Sequence, residues 1–119
     1  MILADTTVWQ AWLPRSRVPD PVFTDAIRDQ NIVCHPWILG ELLLGGVAPA
    51  VAERIQTMDF LPLVPEESVY TFIRQYRPQG VGWVDVNLLV ACIQADVLLW
   101  TKDRDLHANA RKHGRAYER

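Results

Sequence analysis

Apolar residues follow two rhythms along this chain. Short unbroken runs occur at Ile2-Leu3-Ala4, Ile32-Val33-Cys34 and Val97-Leu98-Leu99-Trp100. Runs of this length bounded by turn residues predict strands buried on both faces. Between them the apolar positions recur at helical spacing. Trp9, Trp12 and Leu13 share one face of a predicted helix over 6–13. Val22, Phe23, Ala26 and Ile27 do the same over 22–30. His35-Pro36 opens a helix over 37–44, with Pro at the first helical position where its missing donor costs nothing. That helix is apolar nearly all round, which predicts deep burial, and Gly45-Gly46 ends it.

Further helices are predicted over 49–58, 66–76, 84–95 and 106–113, with Pro78-Gln79-Gly80 and Gly114 as stops. A third strand is expected over 60–64, at a sheet edge because of Pro62, and a terminal strand over 116–117. The stretch 14–21 holds three prolines and reads as a loop. Strands alternate with helices throughout. The fold class is therefore α/β with a mostly parallel central sheet, its crossovers right-handed.

The 119 residues correspond to a single domain of ordinary size. The net charge of −2 advertises no global basic field. From Lys102 onward, however, six Lys or Arg stand against Asp103, Asp105 and Glu118, a local balance of +3. Cys34 and Cys92 lie in apolar surroundings outside any CxxC pair and read as small buried hydrophobes. Asp5 and the turn after it break any N-terminal apolar run, and no run approaches the ~18 to 20 residues of a membrane span. The expectation is a reduced, cytoplasmic protein without a membrane segment.

The acids change the picture most. Asp5 ends the first strand and Asp103 follows the last long one, so both belong at the carboxyl edge of a parallel sheet, where ligands of open α/β sheets bind. Glu41 stands about one turn into the helix leaving the second strand. Asp85 begins the helix that runs back into the 97–100 strand, so its start lies at the same edge. Each has a bland reading: Asp5 and Asp103 as helix caps, Asp85 as a partner of the helix dipole. Glu41, inside Ile38-Leu39-Gly40-Glu41-Leu42-Leu43-Leu44, is expected to be buried without a nearby cation, at large cost. Carboxylates gathered without a counter-charge resist ionisation. A divalent cation with a preference for hard oxygen ligands, Mg²⁺ or Mn²⁺, resolves the conflict.

With Asp5-Thr6-Thr7 after an apolar strand, Ile38-Leu39-Gly40-Glu41-Leu42, Gly82-Trp83-Val84-Asp85 and Leu99-Trp100-Thr101-Lys102-Asp103, the chain resembles a PIN domain. More narrowly, it resembles the VapC-type ribonuclease toxins of bacterial toxin–antitoxin systems, over its whole length and in the right order. The resemblance implies a PIN-like three-layer fold, a short mostly parallel sheet flanked by helices. It implies a metal-dependent endoribonuclease in which Asp5, Glu41, Asp85 and Asp103 bind one or two Mg²⁺ or Mn²⁺ ions, with Asp5 the candidate bridge. Thr6 or Thr7, and Thr101, would orient those carboxylates. The products would carry a 3′-hydroxyl and a 5′-phosphate. Lys102 and Arg104 are candidates to guide the RNA backbone. Trp83 or Trp100 could stack a base, although core packing is the expected role of both. One departure is Asn87, where related sequences tend to carry His. Two residues along a helix turn it by ~200°, so Asn87 points away from the Asp85 face.

The same resemblance implies a VapB-like antitoxin and a homodimer. Trp9, Trp12, Trp37, Ile38, Leu42 and Leu43 crowd the predicted helices and suggest a groove for an amphipathic helix of another chain. A basic tail on that partner would place an Arg on Asp5 or Asp103. Two other classes fit less of the chain. A haloacid-dehalogenase-type phosphatase wants a second Asp where Thr7 stands, and a degenerate PIN domain that only binds would not need all four acids.

Overall fold

A computed structural model describes residues 1–13 and 19–119; residues 14–18 of the proline-rich stretch lie outside it. Three strands form a wholly parallel sheet: β1 (Ile2–Ala4), β2 (Ile32–Val33) and β3 (Leu98–Trp100). Their order is β2-β1-β3. Ile2 is in register with Ile32 on one side and Leu98 on the other, and Ala4 with Trp100. Among the described residues, seven helices surround the sheet: α1 (Thr6–Trp12), α2 (Pro21–Arg28), α3 (Pro36–Leu44), α4 (Pro49–Gln56), α5 (Glu66–Tyr76), α6 (Trp83–Ala95) and α7 (Arg104–Lys112). The α/β reading therefore holds. Because β2 and β3 flank β1 on opposite sides, right-handed crossovers carry the two connections over opposite faces of the sheet.

The expected edge strand over 60–64 reduces to one parallel bridge between Cys34 and Phe60, and the terminal strand to one between Leu99 and Ala116. Pro62 removes the donor that a longer ladder would need, and Pro65 follows before α5 begins. The last helix starts at Arg104, two residues earlier than the apolar spacing indicates, because the Asp103 side chain caps it.

The sheet is internal apart from the first residues of β1 and β3, Ile2 and Leu98, which are partly exposed. Leu3, Ala4, Val33, Cys34, Leu99 and Trp100 are buried, together with every residue of α6 from Val86 to Cys92, so that the middle of that helix is enclosed on all sides. Burial lifts the Cys34 thiol to about 11 and the Cys92 thiol to about 12, so both stay protonated and inert. At the other end of the core, Phe23 meets Trp9, Trp12 and Trp100 edge-on at centroid distances of 4.9, 5.3 and 5.4 Å. Edge-to-face contacts match the positive rim of one ring to the negative face of the next.

α3 does not match its expected deep burial. Only Ile38 and Leu42 are buried, whereas Leu43 is 51% and Leu44 91% exposed. A nine-residue helix turns one stripe to the core, and its remaining leucines face outward. Its start is secured by His35, which is buried and accepts the Trp37 N–H through Nδ1 at 3.0 Å. Burial lowers the His35 pKa to about 4, so the imidazole is neutral and can accept.

Phe23 joins α2 to both α1 and β3, so Phe23→Ala should cost about 3–5 kcal/mol of unfolding free energy. Urea titration of the variant checks this, and Leu44→Ala, on a side chain with almost no packing, should stay within about 0.5 kcal/mol of the parent.

Candidate active site

All three strands end at one edge of the sheet, and the four acids are delivered there by different elements. Asp5 directly follows β1. It is only 4% exposed, and its backbone N–H continues the ladder to Trp100 O at 3.0 Å. Asp5 Oδ1 accepts the N–H groups of Thr7 and Val8 at 3.0 and 3.3 Å, and the Thr7 hydroxyl as well. Asp5 is thus the N-cap of α1. Its Oδ2 has no hydrogen-bond partner among the described residues.

Asp103 has the matching role on the other side. It is the N-cap of α7, with Oδ1 accepting Leu106 N–H at 2.8 Å. Thr101, buried between the two, accepts Asp103 N–H at 3.0 Å. The Thr7 and Thr101 hydroxyl oxygens lie 3.4 Å apart, and Thr7 Oγ1 accepts Lys102 N–H at 2.9 Å. Capping and clustering are therefore not alternatives here, since both aspartates do both.

Glu41 departs from expectation. It is exposed rather than buried, because it lies on the open side of α3, and it accepts the Thr6 hydroxyl at 3.2 Å. No buried charge needs rescue. Asp85 occupies the first turn of α6 and is partly buried. Its pKa is raised, first by loss of solvent and then by the negative charges of Asp5, Asp103 and Glu41 in that order. All four acids therefore act on one place. Asn87, two residues on, is buried and donates to Trp83 O at 2.9 Å, away from Asp85 as its helical position requires.

None of the four acids has a Lys, Arg or His ion-pair partner among the described residues. No three Asp, Glu, His or Cys side chains among those residues are close enough to enclose an ion. The rim is an open ring of oxygen donors. This suits a cation that keeps several waters and takes one or two carboxylates plus substrate oxygens, as Mg²⁺ does. The unpartnered Asp5 Oδ2 and the crowded Asp85 are the donors such an ion would relieve.

The basic C-terminal region separates into two groups. Arg111, Arg115 and Arg119 are tied to Glu118, Asp96 and Asp20. Lys102 and Arg104, which flank Asp103, are exposed and have no ion-pair partner among the described residues. Two further residues shape the rim without standing out in the sequence. Asn109 is buried and donates to Gln79 O at 3.0 Å and to Asp105 O at 2.8 Å. Gly80, at φ +76°, has room for no Cβ, which would meet Asp105 Cγ at 2.7 Å. Together they clamp the loop before α6 onto α7 and so set Asp85 against Asp103. The one signal was Asn109 itself, a poor helix former placed mid-helix.

The chain is similar to known proteins over nearly its whole length. It is 31% identical to Ribonuclease VapC32 of Mycobacterium tuberculosis, in the CDC 1551 and H37Rv strains alike, covering 96% of this chain and 94% of the relative. Among solved structures it resembles PAE2754 from Pyrobaculum aerophilum, with a TM-score of 0.62 at 15% identity over 98% of this chain and 87% of that one. No protein-family model matches it.

A carboxylate whose pKa rises on folding holds its proton more tightly in the folded state. The folded protein then loses stability as pH climbs from below 3.8, the ordinary value, to neutral. Asp85→Asn removes that loss. In EDTA its melting temperature should gain on the parent's as pH rises through this range, as thermal scans in a pH series would register.

Proposed function

The chain belongs to the VapC-type PIN-domain ribonucleases, and from that footing we propose that it is a single-domain, cytoplasmic, metal-dependent endoribonuclease toxin neutralised by a VapB-like antitoxin. The geometry that carries the enzymatic part is the delivery of the four acids to one strand-end rim, with Asp5 and Asp103 at helix starts, Asp85 in a first turn and Asp5 Oδ2 without a hydrogen-bond partner among the described residues. Like charges drawn together without an ion-pair partner are costly unless a cation or a reacting phosphate is to be handled there. No helix of the described residues is long and apolar enough to cross a membrane.

Asp5, Glu41, Asp85 and Asp103 would hold one or two Mg²⁺ or Mn²⁺ ions. When bound, such an ion supplies a water of lowered pKa and neutralises charge building on the scissile phosphate. The protein's own contribution is placement. Thr7 and the first turn of α1 occupy one oxygen of Asp5 and leave the other for a ligand. Thr101 fixes the backbone of Asp103, and Thr6 steadies Glu41. Lys102 and Arg104 offset the repulsion between the RNA backbone and an acidic rim.

The partner reading has its own support. A groove of about 630 Å³ runs between α1, α2 and α4, lined by Trp9, Trp12, Ile27, Val51, Ile55 and Met58. This differs from the groove expected on the first two core helices: Ile38 and Leu42 are consumed by the core, and α4 supplies the far wall. The buried Trp9 Nε1 has no acceptor among the described residues. An amphipathic antitoxin helix fits such a trough. Leu43 and Leu44, exposed on α3, favour a second copy of the chain as a further partner.

Asp5→Asn and Asp85→Asn should each lower RNA cleavage by about 100-fold or more, since even groups one step removed from a metal cost 10- to 100-fold. EDTA should stop cleavage and Mg²⁺ or Mn²⁺ restore it. At a hundredfold excess over Kd the ion should add ~2.7 kcal/mol of stability. Asn variants that cut RNA at the parent rate would sink the reading. For the groove, Val51→Lys should abolish co-purification of the antitoxin while cleavage by the free enzyme persists; an intact complex would move the antitoxin elsewhere.

A further inference from the structure

We infer that Trp83, backed by Tyr70, is a stacking platform for a nucleobase of the RNA strand next to the scissile phosphate. This rests on the ribonuclease reading of the acidic rim and adds a binding subsite to it. Of the five tryptophans, Trp9 and Trp100 are buried, Trp12 and Trp37 are partly buried, and Trp83 alone is exposed, at 42%. An indole that contributes to no core is a costly feature to leave in water. Its position gives it a use. Trp83 opens α6, and Asp85 stands in the same helical turn.

The indole is held rather than loose. The Tyr70 ring on α5 lies 5.6 Å from it, centroid to centroid, with the planes 34° apart. Asn87 Nδ2 grips the Trp83 carbonyl. The loop just before it is clamped to α7 through Asn109 and Gly80. α7 carries Asp103 at its cap and Arg104 in its first turn. Helical geometry separates Trp83 from Asp85 by ~200° and ~3 Å of rise, so the ring stands within one turn of the carboxylate along α6 but on the opposite face of the helix. Exposed Val84 extends the same apolar surface. The substrate class chooses the occupant. Single-stranded RNA is gripped by cations on its phosphates and aromatic faces on its bases. Lys102 and Arg104 provide the first beside Asp103, and Trp83 the second, across the start of α6 from Asp85.

The test uses the full-length protein. A fluorescein-labelled single-stranded RNA of random sequence is titrated with Asp5→Asn in Mg²⁺, and anisotropy reports binding without cleavage. Adding Trp83→Ala should weaken binding by about 5- to 150-fold, the range of one lost base–aromatic stack, and Trp83→Phe should recover most of it. An RNA that the wild-type protein cuts is then remade with an abasic ribose on either side of the mapped cut. One of the two should bind the Asp5→Asn protein more weakly, and that loss should vanish when Trp83→Ala is also present. The platform is overturned if no RNA binds, if Trp83→Ala binds like its parent, if the abasic loss persists in it, or if sedimentation shows that the substitution disrupts a dimer, which would make Trp83 a contact between copies. Wild-type cleavage is scored separately. Its absence would sink the ribonuclease reading whatever Trp83 does, whereas cleavage with an unchanged KM in Trp83→Ala would sink the platform alone.

Discussion

One hydroxyl ties together the two strand ends that carry acid. Thr7 Oγ1 donates to Asp5, accepts the Lys102 N–H at 2.9 Å and sits 3.4 Å from the hydroxyl of Thr101, which in turn holds the backbone of Asp103. Two carboxylates brought toward each other repel by roughly 1 kcal/mol at 4 Å in water and about 4 kcal/mol at an effective dielectric constant of 20. A hydrogen bond to a charged group returns about 1.5–3 kcal/mol. Asp5 alone accepts three, so the knot outweighs the repulsion it has to contain.

That balance divides the four acids into two kinds. Asp5 and Asp103 are tied into helix starts through one carboxylate oxygen, Oδ1, each. Glu41 and Asp85 have no such duty. Glu41 is exposed on α3 with one hydroxyl donor, and Asp85 is only partly buried. Two donors are built into the scaffold, and two can adjust to a ligand's coordination and charge. Under the metal-dependent reading proposed above, an open ring with a rigid half would suit a cation that shares its ligand sphere with a substrate and then releases it.

How much of this was legible in the sequence depended on which force was being read. The strands were plain because a three-residue sheet buried on both sides leaves unbroken apolar runs. The common edge for Asp5, Asp85 and Asp103 followed from parallel topology alone. Burial on α3 was misjudged because periodicity cannot distinguish Leu42, which enters the core, from Leu43 and Leu44, which do not. Glu41 was misjudged with it. Asp5 and Asp103 looked like a choice between cap and ligand, although a carboxylate has two oxygens and can serve both. Trp83 was assigned to the core because indoles usually belong there. The clamp of Asn109 on Gln79 and of Gly80 on Asp105 joins segments remote in sequence, and no local pattern announces it.

The order of the strands has a consequence for the timing of synthesis. β1 precedes both of its neighbours along the chain and is the middle strand of the finished sheet, yet its second neighbour is β3, with Ile2 registered on Leu98. Until β3 is made, Asp5 hangs on a strand with one open side, and neither Thr101 nor Asp103 exists to complete the rim. Pairings this distant along the chain are slow to close. The four acids therefore cannot converge until β3 and Asp103 have left the ribosome, a particle made largely of RNA.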